Sequence, residues 1–281
     1  MFLNIGKETI YAYTGGKKVD SKKPAIVFIH GAANDHSVWA LQSRYFAFHG
    51  WNAIAIDLPG HGKSDGPHLT SINKLSSWIN DIITTVNLSE VVLVGHSMGS
   101  LIALDFAGNF QRKTAGLVLI GTASPMPVSD SLLKTSSEKP QEAYNMVNNF
   151  SFSARGHLGP NAAPGSWMAG NGMRLMEKAN DLTLYKDFLS CDRYQEGLNC
   201  AKKVLCPSLI ISGSKDKMTP AKFSKEIAIV LANTGKFRNV NLETGHAIMA
   251  EKPDLVLDIL IEFTDKIKEE KGTASNKEKN L

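Results

Sequence analysis

Short runs of apolar residues alternate along this chain with segments of helical spacing, and that alternation narrows the fold more than any other feature. The runs are "AIVFIH" (25–30), "NAIAID" (52–57), "VVLVG" (91–95), "GLVLIG" (116–121) and "SLIISG" (208–213). A strand that is apolar at every position needs cover on both faces, which an antiparallel sheet with one wet face does not supply. Between the runs lie patterns such as Ile72, Leu75, Ile79, Ile82, Ile83 and Val86, spaced three or four apart as on an amphipathic helix. Strands apolar on both faces and separated by helices predict a parallel, doubly wound α/β sheet. The chain has 281 residues and is 43% hydrophobic, enough for one large core.

Other segments are read by the same rules. Leu101–Phe106 opens a second helix, which Gly108 and Asn109 are expected to end. Residues 221–232 read as helical and "RNVNLE" (238–243) as a weak strand. "PDLVLDILIEFTDKIK" is a last helix with Pro253 in its first turn. Residues 124–206 break the rhythm, with helical pieces, no convincing strand and a Gly/Pro-rich centre (154–172) expected to be a long loop. The expected organisation is a core of 1–123 and 207–267, a helical insertion at 124–206 and a disordered polar tail at 268–281.

The run at 91–95 ends in "GHSMG", and a helix pattern follows at once. Gly-x-Ser-x-Gly between strand and helix is a nucleophile elbow. The serine takes a strained backbone, the glycines let strand and helix approach, and the helix N-terminus points at the hydroxyl. Ser97 is therefore the candidate nucleophile. A serine hydroxyl needs a base, itself held by an acid, and the elbow predicts the chain order Ser, acid, His. Asp216 follows the strand at 208–213, and His246 is the only histidine after residue 157. Asp192 also follows Ser97 but falls among helical patterns of the insertion. His96 reads as a supporting residue; His36, His49 and His68 read as surface or loop residues. The oxyanion donors expected are the N–H of Met98, next after the nucleophile, and the N–H of Ala32 in "HGAAND", with Ala33 as the alternative.

These pieces ("HGAAND", "DLPGHGKSD", "GHSMG", "SGSKD", "GHAIMAEKPD") resemble the α/β-hydrolase superfamily in order and spacing, over about residues 25–263. The resemblance implies an eight-stranded, mostly parallel sheet, with 124–206 as a cap over the active site. It leaves the substrate open. A serine at the elbow separates the chain from haloalkane dehalogenases and epoxide hydrolases, which use aspartate there.

The expected activity is hydrolysis of a small, mainly apolar ester or thioester through a Ser97–His246–Asp216 triad. Rival readings are hydrolysis of a carbon–carbon bond in a β-diketone-like compound and a receptor-like protein with a retained triad. Trp167 and Met168 are the candidate pocket residues, and Arg155 or Arg174 could meet an anionic substrate. No cofactor is called for. No metal is expected, because the histidines and cysteines lack ligand spacing. The formal charge of +4 and the absence of a basic, aromatic-studded stripe argue against a nucleic-acid partner. The N-terminal stretch does not read as a signal peptide, and no apolar run approaches a membrane span. Three cysteines of unpatterned spacing suggest reduced thiols, and together these features predict a cytoplasmic protein with a small-molecule acyl substrate. Monomer and homodimer are equally compatible with the sequence.

Overall fold

The computed structural model describes residues 1–159, 167–180 and 182–278. Eight strands form one sheet: β1 (Phe2–Ile5), β2 (Glu8–Tyr13), β3 (Ala25–Ile29), β4 (Asn52–Ile56), β5 (Val91–His96), β6 (Thr114–Ile120), β7 (Ser208–Gly213) and β8 (Phe237–Leu242), in the order β1-β2-β4-β3-β5-β6-β7-β8. β2 pairs antiparallel with both β1 and β4, and every pairing from β4 to β8 is parallel. The α/β sheet expected from the apolar runs is what forms.

The alternation of faces explains why the middle of each run is apolar. In β3, Val27 and Ile29 face one apolar layer, while Ile26 and Phe28 face the other. The helices of the core are α1 (Ala40–Phe48), α2 (Ile72–Thr85) and α3 (Met98–Asn109). α2 and α3 cover the first face through residues such as Ile79, Ile82, Leu101 and Leu104. α1 contributes Phe46 to the second face.

Residues 124–206 supply helices and, among the described residues, no strand. They are α4 (Asp130–Glu138), α5 (Pro140–Ser151), α6 (Ala154–His157), α7 (Met168–Glu177), α8 (Thr183–Asp192) and α9 (Gly197–Ala201). α10 (Lys225–Ala232), α11 (Ile248–Glu251) and α12 (Pro253–Glu278) complete the chain, and α12 seals the second face with Val256, Leu260 and Phe263. No helix among the described residues is long and apolar enough to cross a membrane. All three cysteines are free and buried.

Several sequence expectations need correction. α6 and the first turns of α7 lie within 154–172, so that stretch is not one irregular loop; residues 160–166 fall outside the described residues. α12 runs from Pro253 to Glu278, past residue 267 where the core was expected to end. By contrast, α3 ends at Asn109, where the Gly108–Asn109 pair places its end; a Cβ on Gly108 would stand 2.8 Å from Cα of Cys200, so the glycine also lets α9 cross close to α3. Cys200, Ala201, Val204 and Cys206 are buried with the main core, so the end of the insertion packs with the core layer.

Candidate active site

The elbow forms at the end of β5. Ser97 has φ +52° and ψ −120°, a conformation unfavourable for a residue with a Cβ. Its N–H donates to Ile120 O at 2.9 Å, and Ser100 Oγ donates to its carbonyl, which ties both ends of the turn. Side chains at the flanking glycines would collide: a Cβ on Gly95 would run into the Gly99 carbonyl, and one on Gly99 into the backbone of Ile29 and His30. Met98 is the first residue of α3, so its N–H has no partner within the helix and is free to face an anion beside Ser97.

Asp216 and His246 come from loops after β7 and β8, both ending on the side where β5 ends. His246 Nδ1 lies 2.8 Å from Asp216 Oδ2. Both residues are buried. Asp216 Oδ1 also accepts from the backbone N–H groups of Met218 and Thr219, each at 2.8 Å. Burial by itself raises the Asp216 carboxyl. The facing His246 and the hydrogen bonds from His246 and Thr219 outweigh it and hold the group at about 2. The carboxylate is thus ionised, and the proton on the facing histidine nitrogen is Nδ1–H. Nε2 is left for a substrate or nucleophile.

The structure therefore joins Asp216 to His246 directly and puts Ser97 and His246 on the wall of one cavity. Among the described residues no hydrogen bond joins Ser97 to His246, a separation common before a substrate tightens the site. Asp192 is elsewhere: its Oδ1 accepts from the Val128 N–H at 3.0 Å and braces the base of the insertion.

Thr219 is a residue the sequence reading missed. Its hydroxyl lies 2.9 Å from Gly121 O, 2.9 Å from Asp216 Oδ2 and 3.0 Å from His246 Nδ1, so it locks the acid–base pair to the end of β6. The available signal was a threonine three residues after the aspartate, a turn-forming spacing. His96 supports as expected, its Nε2 standing 2.9 Å from His246 O. Burial and then the neighbouring His246 push His96 down to about 3, so it is neutral and Nε2 carries the proton.

Ala32 lines the cavity beside Ser97, at the loop after β3. Ala33 is not available as its alternative, since its N–H is taken by Asp187 Oδ2 at 2.8 Å. His30 fixes the loop from the other side. Its Nε2 accepts from the Leu58 N–H at 3.1 Å, so the proton sits on Nδ1, 2.8 Å from Gly31 O. Burial and the adjacent His61 lower His30 to about 4, which keeps it neutral.

The cavity has a volume of about 700 Å³ and lies between the strand ends and the insertion. Phe152, Met168, Met176, Phe188 and Met218 give it an apolar wall. A smaller pocket of about 260 Å³, lined by Met126, Val128 and Leu132, also reaches Ala32 and Ser97. Of the candidate pocket residues, Met168 lines the cavity and is 7% exposed. Trp167 does not line it. It is 70% exposed, precedes α7 and folds back over Gly170, because the turn that directs Met168 inward directs its neighbour out. Arg174 reaches the cavity rim but is paired with Glu177, and Arg155 is exposed.

His36 lies in the segment between β3 and α1, where its side chain is held in place. Its Nδ1 sits 2.7 Å from Asp57 Oδ1, with the ring against Tyr11 and Tyr13. His36, Asp35 and Asp57 have the spacing of a cation site. Their atoms are already engaged: Asp57 accepts from the N–H groups of His36 and Lys63, and Asp35 caps Ser37.

Known proteins share this fold. A family model described as "alpha/beta hydrolase fold" matches residues 24–163. A Mycoplasma pneumoniae protein named "Putative esterase/lipase 2" is 26% identical over 279 residues, covering 94% of this chain and 96% of its own. The enol-lactonase of Burkholderia xenovorans superposes with a TM-score of 0.83 at 19% identity, over 94% of this chain and all of that one. An esterase of Exiguobacterium antarcticum superposes with a TM-score of 0.80 at 20% identity, over 94% of this chain and 98% of that one. The strand order, the elbow after β5 and these full-length matches agree, and the chain belongs to the α/β-hydrolase fold family.

Proposed function

We propose that this esterase/lipase-like α/β-hydrolase cleaves small, mainly apolar carboxylic esters or thioesters through an acyl-enzyme. The observation that carries the reading is the strained Ser97 on the floor of an apolar cavity whose edge holds the His246–Asp216 pair. His246 Nε2 takes the proton from the Ser97 hydroxyl as Oγ attacks the substrate carbonyl carbon. The carbonyl π electrons move to oxygen, and the oxyanion is met by the N–H groups of Ala32 and Met98. Collapse expels the alkoxide or thiolate, which receives the proton from His246. Water, deprotonated by the same nitrogen, attacks the acyl-enzyme, and a second collapse releases the carboxylic acid and restores Ser97. Asp216 remains ionised throughout and holds His246 in the tautomer this sequence requires.

The two pockets that meet at Ser97 support a substrate with two unequal apolar arms flanking the bond to be cut. A volume of about 700 Å³ suits a compound of modest size. The full-length likeness to a protein named as an esterase/lipase supports the same class. The test is a panel of p-nitrophenyl esters and thioesters of increasing acyl length, run beside vinylogous diketones. Turnover of the esters or thioesters, abolished in Ser97→Ala, is the expected result. Turnover of the diketones alone would replace this reading with carbon–carbon bond hydrolysis.

A further inference from the structure

Asp187 lies on α8 of the insertion, yet its carboxylate is spent on the core. Oδ2 accepts from the Ala33 N–H at 2.8 Å and stands 2.9 Å from His61 Nε2. Asp187 and His61 are 3% and 4% exposed. The second nitrogen of His61, Nδ1, faces the Pro59 carbonyl at 3.0 Å. A carbonyl and an ionised carboxylate only accept, so both ring nitrogens carry hydrogen and His61 is a cation. This is a buried ion pair tying the insertion to the core. Such a pair gives little stability over an apolar replacement, so its role is better judged from what it holds.

What it holds is the loop after β3. Ala33 has φ +50°, a backbone that a residue with a Cβ adopts only when its surroundings fix it. Its side chain is buried in the apolar cluster of the insertion with Tyr144, Leu184 and Phe188. Its N–H is the group held by Asp187. On the other side of Ala32, the Gly31 carbonyl is held by His30 Nδ1–H and by the Asn34 N–H at 3.3 Å. In a trans peptide the carbonyl and the following N–H point opposite ways. Holding Gly31 O on one side and Ala33 N–H on the other fixes both peptide planes flanking Ala32, and with them the direction of the Ala32 N–H.

We infer that Asp187 is a positioning residue that makes the oxyanion site depend on a docked cap: from α8, paired with His61, it sets the loop that aims the Ala32 N–H beside Ser97. The inference rests on the hydrolase reading for its catalytic meaning. The loop geometry itself can be measured without turnover.

The experiment uses the full chain with Asp187→Leu, which removes the acceptor, and Asp187→Asn, whose amide oxygen still takes the Ala33 N–H. Two readouts are needed. The first is kcat and KM on a p-nitrophenyl ester, and the second is hydrogen–deuterium exchange of a peptide covering residues 31–36. In Asp187→Leu, kcat should fall about ten- to a hundredfold with KM within about threefold, since a misplaced donor costs transition-state more than ground-state binding. Exchange over 31–36 should quicken while that of β5 does not change, and Asp187→Asn should recover part of both effects. Wild-type kcat with wild-type exchange over 31–36 would overturn the inference. So would a loss in which kcat, KM and exchange across the whole core move together, which marks general destabilisation. If Asp187→Leu does not fold, the same readouts on Asp187→Asn decide. If wild type neither turns over esters nor reacts with a fluorophosphonate, the hydrolase reading fails, and exchange alone still decides whether Asp187 orders the loop.

Discussion

His246 Nδ1 and Asp216 Oδ2, 30 residues apart in the chain, are 2.8 Å apart in the fold, and Thr219 Oγ1 lies within 3.0 Å of both. That contact holds the Asp216 carboxyl at about 2, below its ordinary 3.8. A carboxyl depressed on folding contributes stability above its unfolded value and loses it as pH falls through its folded value. The wild-type protein should therefore lose about 2 kcal/mol from this group between roughly pH 4 and pH 2. In Asp216→Asn that part of the acid loss should be missing in urea titrations, and ester turnover should fall by roughly 10⁴ because the histidine tautomer is no longer fixed.

His61 gives the opposite sign. Burial works against its charge, but the Asp187 carboxylate and the hydrogen bonds to Asp187 and Pro59 raise it above its usual 6.5. A raised histidine contributes stability that is complete below its unfolded value and is lost as pH rises through its folded value. His30, His68 and Asp57 also interact with the ring, and the Asp187 carboxylate is the strongest of the raising influences. The melting temperature of wild type should drop as pH rises above about 6.5. Asp187→Asn should show a flatter curve there, and parallel curves would contradict the pairing.

Gly95→Ala should be far more damaging than its one methyl group suggests. The added Cβ meets the Gly99 carbonyl and the Ser100 N, which are backbone and cannot swing aside. Separating β5 from α3 should cost more than about 3 kcal/mol. Calorimetry should show a fall of at least roughly 6–12 °C in Tm, or no folded protein at all.

Met168 and Trp167 are adjacent in sequence and opposite in consequence. Met168→Ala should enlarge the cavity and move the best acyl chain to greater length, at a cost below the roughly 2–5 kcal/mol of a full core deletion. Trp167→Ala should leave the ratio of kcat/KM between short and long esters within about twofold, because the ring is 70% exposed and outside the cavity lining. Profiles of both variants across acyl lengths decide this.

The central strands were legible in the sequence because burial on both faces makes the middle of each run apolar. The elbow was legible because two glycines bracket Ser97 where strand meets helix. β1 and β2 were not read as strands: they lie at one edge of the sheet and their burial alternates, so their apolar signal is half strength. Asp187 was illegible for a different reason. Its partners Ala33 and His61 are 154 and 126 residues away, and a single aspartate on a helix looks like a solvated face until the fold brings them together. Trp167 lies outside the cavity lining; a place in the insertion does not say which way a side chain points.

The central claim is that Ser97 is an activated nucleophile, and a fluorophosphonate tests it most directly. Wild type and Ser97→Ala are each treated with the probe, weighed intact and mapped by peptide mass. The account predicts rapid addition of one phosphonyl group to wild type, located on Ser97, and none to a Ser97→Ala protein of unchanged Tm. An unlabelled wild type, or equal labelling of the two proteins at another residue, would contradict it.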